Sequence, residues 1–339
     1  MSALSSVKAN VVHEVARLGF NTTSGAELYD RARPSFPPES MSSILDSAIQ
    51  ASKGAPLRVM EFGAGTGIST RALLDAIALK NRTSGGSEAK VQIDHLSVYE
   101  PSPGMRDSFA TTLKAKLPAY MDASVFTRGA ESVDVADGTF ENFPVSQEME
   151  GTTDLILIAQ AWHWAQDHQA ALSNFARVLK PNGCLALIWN LEDRDAAPWV
   201  ARIRDAYEQH EKGAPQYRHG RWKKMYDTKA YSSFFDALPQ EDYVRILPTT
   251  KEDAWNRVHS KSYIALLGDE DLTALRKEYD AIMNDTDRNG RRWIDQDKGI
   301  FEYVSTSRSV SGQIDVTYVG SPTFLAQPYM TNLNKFVRK

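Results

Sequence analysis

Val59-Met60-Glu61-Phe62-Gly63-Ala64-Gly65-Thr66-Gly67 is the stretch whose reading decides the fold. A short apolar run, 57–62, stops at a glycine, and a helix-like stretch follows over 68–79. Glycine lets the backbone bend sharply and approach a ligand closely, while the following helix offers free N–H groups. Two ligand classes use such a turn. A redox dinucleotide asks for G-x-G-x-x-G, with its last glycine at position 68, which here is Ile68. The spacing is instead G-x-G-x-G, preceded by the acid Glu61. A carboxylate there opposes a pyrophosphate and suits the ammonium end of an amino-acid-like ligand.

Outward from this turn, apolar runs at 57–62, 93–99, 124–126, 154–159 and 185–189 alternate with helical patterns at 68–79, 102–117 and 169–179. A helix over 39–52 precedes them, with Met41, Ile44, Leu45 and Ala48 on one face. Such alternation predicts an α/β fold with a mostly parallel sheet sandwiched by helices. Ligands of these sheets bind at the carboxyl ends of the strands. The chain divides into an N-terminal helical segment (1–55), a cofactor-binding unit (56–190), further strands with a helical lid (191–310) and a C-terminal extension (311–339). In the third part, Trp199, Ile203 and Tyr207 share one helical face, as do Leu272, Leu275, Tyr279 and Ile282. Stretches 243–247 and 301–304 read as strands, and the polar, basic stretch 211–235 as a lid.

Lys and Arg total 39 against 43 Asp and Glu in 339 residues, a net charge of −4. That balance supplies no basic field for nucleic acid or an anionic membrane, so neither is expected as a partner. The one cysteine, Cys184, allows no intrachain disulfide and no cysteine cage for zinc, and the seven histidines lack ligand spacing, so no metal is expected. The longest apolar stretch, 155–159, falls far short of the ~20 residues of a membrane helix, and the N-terminus lacks a signal-peptide pattern. A cytoplasmic protein, monomer or homodimer, acting on a small molecule is the expectation.

Six further stretches carry candidate chemistry. Glu100 follows the second strand, where a carboxylate accepts two ribose hydroxyls; Pro101 and Met105 would border an adenine. The alternative is that Glu100 only caps the next helix. Thr139 and Phe140, in the loop before the fourth strand, would edge the same ring. Gln160-Ala161-Trp162-His163-Trp164 closes that strand and makes His163 the candidate general base or orienting donor. Trp162 and Trp164 would border a cationic centre or a flat substrate, or else pack helix against sheet. The basic stretch 218–224, with Trp222, and the pair Arg291 and Arg292 beside Trp293 are candidates for receiving an anion, against the simpler reading of solvated loops. Tyr263, in Ser260-Lys261-Ser262-Tyr263, is a further candidate to face the pocket.

Together, the glycine turn, Tyr99-Glu100-Pro101-Ser102, the 160–164 stretch and Arg177-Val178-Leu179-Lys180-Pro181-Asn182-Gly183 resemble the class I methyltransferases, in particular the type 11 small-molecule family. Tyr29-Asp30-Arg31-Ala32-Arg33-Pro34-Ser35-Phe36-Pro37 resembles a subgroup that includes trans-aconitate-type and related fungal methyltransferases. The resemblance covers about 20–190 well and 190–310 loosely. It implies a Rossmann-like, seven-stranded, mostly parallel sheet and S-adenosyl-L-methionine as methyl donor, with S-adenosyl-L-homocysteine as product. By that resemblance Glu61, Gly63, Ala64, Gly65, Thr66 and Gly67 line the methionine and ribose part of the donor, and Glu100 binds the ribose hydroxyls. Thr139 and Phe140 edge the adenine, Gln160 and Ala161 lie beneath the methionine, and Tyr29 and Arg33 close over the donor. Phe140 departs from the family, which commonly has alanine there.

The reaction so implied is direct displacement at the methyl carbon by a small organic acceptor, O-methylation of a carboxylate or hydroxyl being favoured. Alignment carries most of the rate, worth ~7–11 kcal/mol. The rivals are a methyltransferase-fold protein that binds the donor without transferring methyl (a pericyclase or binding module) and a nicotinamide oxidoreductase.

Overall fold

The computed structural model describes residues 18–19, 23–85, 89–285, 288, 292–295, 300–302 and 325–339. Helix α1 (Thr23–Ala32) and helix α2 (Pro38–Ser52) lead into strand β1 (Leu57–Phe62), α3 (Ile68–Thr83), β2 (Ile93–Tyr99) and α4 (Pro103–Asp122). Then come β3 (Val133–Ala136), β4 (Thr153–Ala159), α5 (His168–Val178), β5 (Leu179–Glu192) and α6 (Pro198–Glu208). The remainder is α7 (Lys229–Phe234), β6 (Phe235–Ala237), β7 (Glu241–Thr249), α8 (Lys251–His259), α9 (Asp269–Asn284), β8 (Arg292–Asp295), β9 (Ile300–Glu302) and β10 (Leu325–Arg338).

Strands β3-β2-β1-β4-β5 lie side by side and parallel, as the alternation of apolar runs and helices requires. β10 then runs antiparallel to β5, and β6 and β7 pair along its other side. Strand order reverses between β1 and β4, so the carboxyl ends of these strands open a crevice there.

The central strand β4 is buried on both faces. Leu155 and Leu157 point to one side and Ile156 and Ile158 to the other, the two-residue alternation of a strand. The first side packs against Met41, Ile44 and Leu45 of α2, Leu73 and Ile77 of α3 and Phe109 of α4. The second packs against Leu172 and Phe175 of α5 and against Trp222 and Met225. A third cluster joins α6, α8 and α9 through Trp199, Ile203, Tyr207, Trp255, Leu275, Tyr279 and Ile282, on the faces their spacing predicts.

Three expectations change. The third strand is 133–136, whereas 124–126 makes only the single bridge Ile93↔Phe126. Ser124 has φ +56 and turns the chain out of α4, and Val125 and Phe126 plug the core beneath it. β3 is an edge strand whose residues are half-buried or exposed, so no apolar run marks it. The main sheet has eight strands among the described residues, not seven. Finally, the stretch expected to be a C-terminal extension supplies β10, an inner strand, with Leu333 and Phe336 in the core. Part of 301–304 forms β9, which among the described residues pairs with β8; the rest lies outside the described residues, as does Arg291.

Candidate active site

Residues that follow β1, β2 and β4 supply much of the crevice wall. After β1, Gly63, Gly65 and Gly67 adopt φ of +64, +58 and +84, backbone that side chains resist. A Cβ on Gly63 would sit 2.7 Å from the Ala161 Cβ, and one on Gly67 would sit 2.7 Å from the Phe109 ring, so neither position has room for a side chain. Gly65 differs, because a Cβ there meets nothing within 4 Å. Its surface faces open crevice, and a ligand can lie against the backbone at that point.

The Gly65 amide donates to Oε2 of Glu100 at 2.9 Å, and the Ser102 amide donates to Oε1 at 2.8 Å. Glu100 is thereby fixed at the end of β2, and burial raises its pKa above the ordinary carboxylate value, against these two amides. A carboxylate has about four lone-pair sites, so each oxygen retains capacity for one more donor. Glu61 behaves differently from expectation. It is 1% exposed beneath the turn, where its oxygens accept the hydroxyls of Ser69 and Thr70, each at 2.5 Å. Burial pushes its carboxyl up to about 7, against those two hydroxyls and Arg71. Glu61 shapes the turn from below and does not line the crevice.

The crevice has about 1110 Å³ of atom-free space, the open solvent at its mouth included. Tyr29, Arg33, Gly63, Gly65, Glu100, Pro101, Met105, Thr139, Phe140, Gln160, Ala161, His163, Trp164 and Tyr263 all line it. Ala64, Thr66, Gly67, Trp162 and Trp222 do not. Thr66 is fully buried and donates to Asp30 Oδ1 at 2.6 Å, and Arg71 pairs with the same oxygen at 2.5 Å. These bonds fasten α1, and with it Tyr29, to the glycine turn. Trp162 is fully buried, edge-on to Phe140, with its indole N–H on Met225 Sδ at 3.2 Å. Trp222 is 2% exposed and lies 5.0 Å from Trp189, centroid to centroid, over β5. Both tryptophans are core residues.

Past β4 the chain turns tightly. Gln160 has φ +58, a conformation costly for a residue with a side chain, and its Nε2 donates to the Asn190 carbonyl at 2.8 Å. His163 lines the crevice with its Nδ1 accepting from the buried indole N–H of Trp189 at 3.2 Å. Burial, then Arg33 and His219, lower its pKa to about 3.

Beside the end of β5, Glu192 is 6% exposed and accepts the Tyr207 hydroxyl at 3.0 Å. Lys261 Nζ approaches one of its oxygens at 3.2 Å, and Arg257 Nε the other at 3.5 Å. These two cations hold the Glu192 carboxyl far below the usual carboxylate range, despite its burial. Burial lowers Lys261 to about 7, against Glu192, and lowers Arg33 to about 10 with help from Arg257. Arg33 donates to Ser260 Oγ at 2.8 Å and lies 4.8 Å from the centre of the Tyr29 ring. Among the described residues no carboxylate forms an ion pair with Arg33. In the basic stretch near Trp222, Arg218 pairs with Glu208 and Glu211, and His219 with Glu211. Of the other anion candidates, Arg292 and Trp293 belong to β8.

Sequence reading passed over Asp30, Trp189 and Glu192. The signal for Glu192 was present, because it ends a parallel strand at the sheet's ligand-binding edge. Among the described residues no helix is long and apolar enough to cross a membrane, and no group of His, Cys, Asp and Glu has the arrangement of a metal site.

Residues 95–187 match the methyltransferase-domain family. An uncharacterized methyltransferase of Mycobacterium tuberculosis is 33% identical over 186 residues, 55% of this chain and 57% of that protein. The match thus spans little more than half the length of that relative. An uncharacterized methyltransferase-like protein of Schizosaccharomyces pombe is 28% identical over 255 residues, 75% of this chain and 82% of that protein. The YcgJ protein of Bacillus subtilis, a solved structure, has a TM-score of 0.45 at 14% identity, covering 89% of this chain and 98% of that one. With the glycine turn and the acid after β2 set into the same wall, these similarities support a class I S-adenosylmethionine-dependent methyltransferase.

Proposed function

We propose that this chain binds S-adenosyl-L-methionine across the ends of β1 and β2 and transfers its methyl group to a small organic acceptor lying over β4 and β5. The observation that carries the reading is the Gly65–Glu100 bond, which sets an approachable backbone and a buried carboxylate side by side on the crevice wall. The donor, when bound, supplies an electrophilic methyl on a sulfonium whose thioether leaves readily. Glu100 has the free lone pairs to accept the ribose hydroxyls. Thr139, Phe140, Pro101 and Met105 form the neighbouring wall for the adenine. Tyr29 and Arg33, carried on the fastened α1 segment, cover the site from the N-terminal side.

The acceptor half is lined by His163, Trp164, Lys261 and Tyr263. O-methylation of a carboxylate or hydroxyl is the chemistry we favour, and the excess of cations over carboxylates around Arg33, Lys261 and Glu192 supports the carboxylate. A cytoplasmic monomer or homodimer agrees with the composition. Isothermal titration with S-adenosyl-L-homocysteine, with NAD as control, tests the reading. Saturable binding of the first alone is expected, followed by S-adenosyl-L-homocysteine production from the methyl donor with a competent acceptor. No binding of either adenosyl compound would end it.

A further inference from the structure

The indole N–H of Trp189 is the hydrogen-bond partner of His163 Nδ1, and an indole nitrogen can only donate. Nδ1 must therefore present its lone pair. A neutral imidazole with a lone pair on Nδ1 carries its proton on Nε2. Nδ1 faces the buried Trp189, so Nε2 is the polar atom that remains to a ring lining the crevice.

The ring also stays neutral. The charged and titratable groups that act on it are Arg33 and His219, and both work with burial to disfavour a second proton. His219 is itself engaged with Glu211 at 3.0 Å, on the far side of its own ring from its Nδ1. Arg33 keeps its charge, bonded to Ser260.

A general base needs a lone pair within reach of the proton it takes. In His163 the one lone pair is spent on Trp189, and the other nitrogen already bears hydrogen. What the ring can offer the crevice is a donor. We infer that Trp189 is a positioning residue that fixes His163 as a neutral Nε2–H donor aimed at the acceptor, so that the acceptor must bring a nucleophile needing no proton removed by this histidine. This rests on the methyl-transfer reading for the identity of the ligand, while the proton's position on the ring does not. The bond changes balance without a proton: the acceptor's lone pair forms the new bond to the methyl carbon as the carbon–sulfur bond breaks and its pair passes to sulfur.

The test uses the full chain labelled with ¹⁵N-histidine, without ligand and with S-adenosyl-L-homocysteine. Long-range proton–nitrogen spectra report each ring's tautomer, and His163→Gln identifies the His163 signals by their loss. His163 should be the Nε2–H tautomer and should not titrate between about pH 5.5 and 8.5, where an ordinary histidine does. In Trp189→Phe, which keeps an aromatic ring and removes the donor, the Nδ1–H tautomer should appear. An Nδ1–H form in the native chain, a titration in that range, or a spectrum indifferent to Trp189→Phe would each overturn the inference. Should Trp189→Phe fail to fold, the native chain labelled with ¹⁵N at both histidine and tryptophan still decides it, through scalar coupling across the hydrogen bond from the Trp189 indole nitrogen to His163 Nδ1; absence of that coupling overturns it. With a competent acceptor, His163→Phe should lose about tenfold in activity, the worth of one hydrogen bond, and His163→Gln, which retains an N–H donor, should recover part of that loss. Equal losses in the two variants would contradict a donor. Failure of S-adenosyl-L-homocysteine to bind would remove the methyl-transfer reading and leave the tautomer result standing.

Discussion

The amide of Gly65 and the carboxylate of Glu100 meet at 2.9 Å, joining the turn after β1 to the end of β2. A second amide, that of Ser102, holds the other oxygen at 2.8 Å. Both donors need an acceptor, and a glutamine offers only one oxygen. Glu100→Gln therefore loses one of these bonds along with the charge that attracts hydroxyl donors. Affinity for S-adenosyl-L-homocysteine should fall by tenfold or more, about 1.5–3 kcal/mol for a charge-assisted bond. Titration calorimetry of the variant checks this, and an unchanged affinity would detach Glu100 from the donor site.

Gly63 and Gly65 have nearly the same φ but different neighbours, so the same substitution should act on them in different ways. An alanine at 63 meets the Ala161 Cβ at 2.7 Å and must displace it, which should cost about 1–3 kcal/mol of stability. At 65 the new methyl enters open crevice, so the fold should lose about 1 kcal/mol from backbone strain alone. The loss of donor affinity should be disproportionately large at 65. Denaturant melts paired with ligand titrations separate the two; a Gly65→Ala chain that binds normally would show that nothing lies against that backbone.

Glu61 carries a pH signature. Its folded-state pKa is raised from the ordinary 4.5 to about 7 by burial, so the native chain keeps a proton that the unfolded chain gives up. Between those values the folded state binds more protons, and stability falls as pH rises, on the order of 3 kcal/mol across the window. Glu61→Gln removes the titration and should flatten that part of the profile relative to the native chain. Melting both proteins from about pH 4.5 to 8 tests it; parallel profiles would mean that Glu61 stays ionised throughout.

The glycine turn, Glu100 and the parallel strands were legible because each is a local pattern, a run of apolar residues ending in residues of special geometry. Which way a side chain points was less so. Glu61 lies on the Val59 side of β1, under the first turn of α3, and only the hydroxyls of Ser69 and Thr70 hint that a carboxylate is received there. In the tight turn 162–164, one tryptophan enters the core while His163 and Trp164 face the crevice, a division set by turn geometry and not by composition. Trp222 sits in a basic stretch, yet it covers Trp189. β10 was hidden for a different reason: its partner residues are far away in sequence, Thr331 and Asn190 being 141 residues apart, and its polar side chains find buried partners such as Asn190 Oδ1. A strand so placed leaves no periodic signature.

If β10 is an inner strand, small changes in it should be expensive. Leu333 is fully buried, opposite Ile188 on one side and Glu241 on the other. Leu333→Ala should cost about 2–5 kcal/mol, as for other buried leucines, whereas a tail packed on the surface would tolerate the change within about 0.5 kcal/mol. The denaturation midpoint reads the difference directly.

Arg257 and Lys261 share the Glu192 carboxylate, Arg33 forms an ion pair with none among the described residues, and Arg33 and Lys261 line the crevice. Buried charge without a counterpart is costly, and a bound anion relieves it. Propionate should therefore stabilise the S-adenosyl-L-homocysteine-saturated chain more than propionamide does at equal ionic strength. At a concentration about tenfold above its Kd, the gain is about 1.4 kcal/mol, or a rise in Tm of a few degrees. Lys261→Met should abolish the difference between the two ligands, and Lys261→Arg should preserve it, because what matters is a positive charge at that point on the wall. If Lys261→Met instead weakens S-adenosyl-L-homocysteine and leaves the propionate response intact, the lysine serves the donor's own carboxylate. Equal responses to acid and amide in the native chain would leave an uncharged acceptor as the better fit to this end of the crevice.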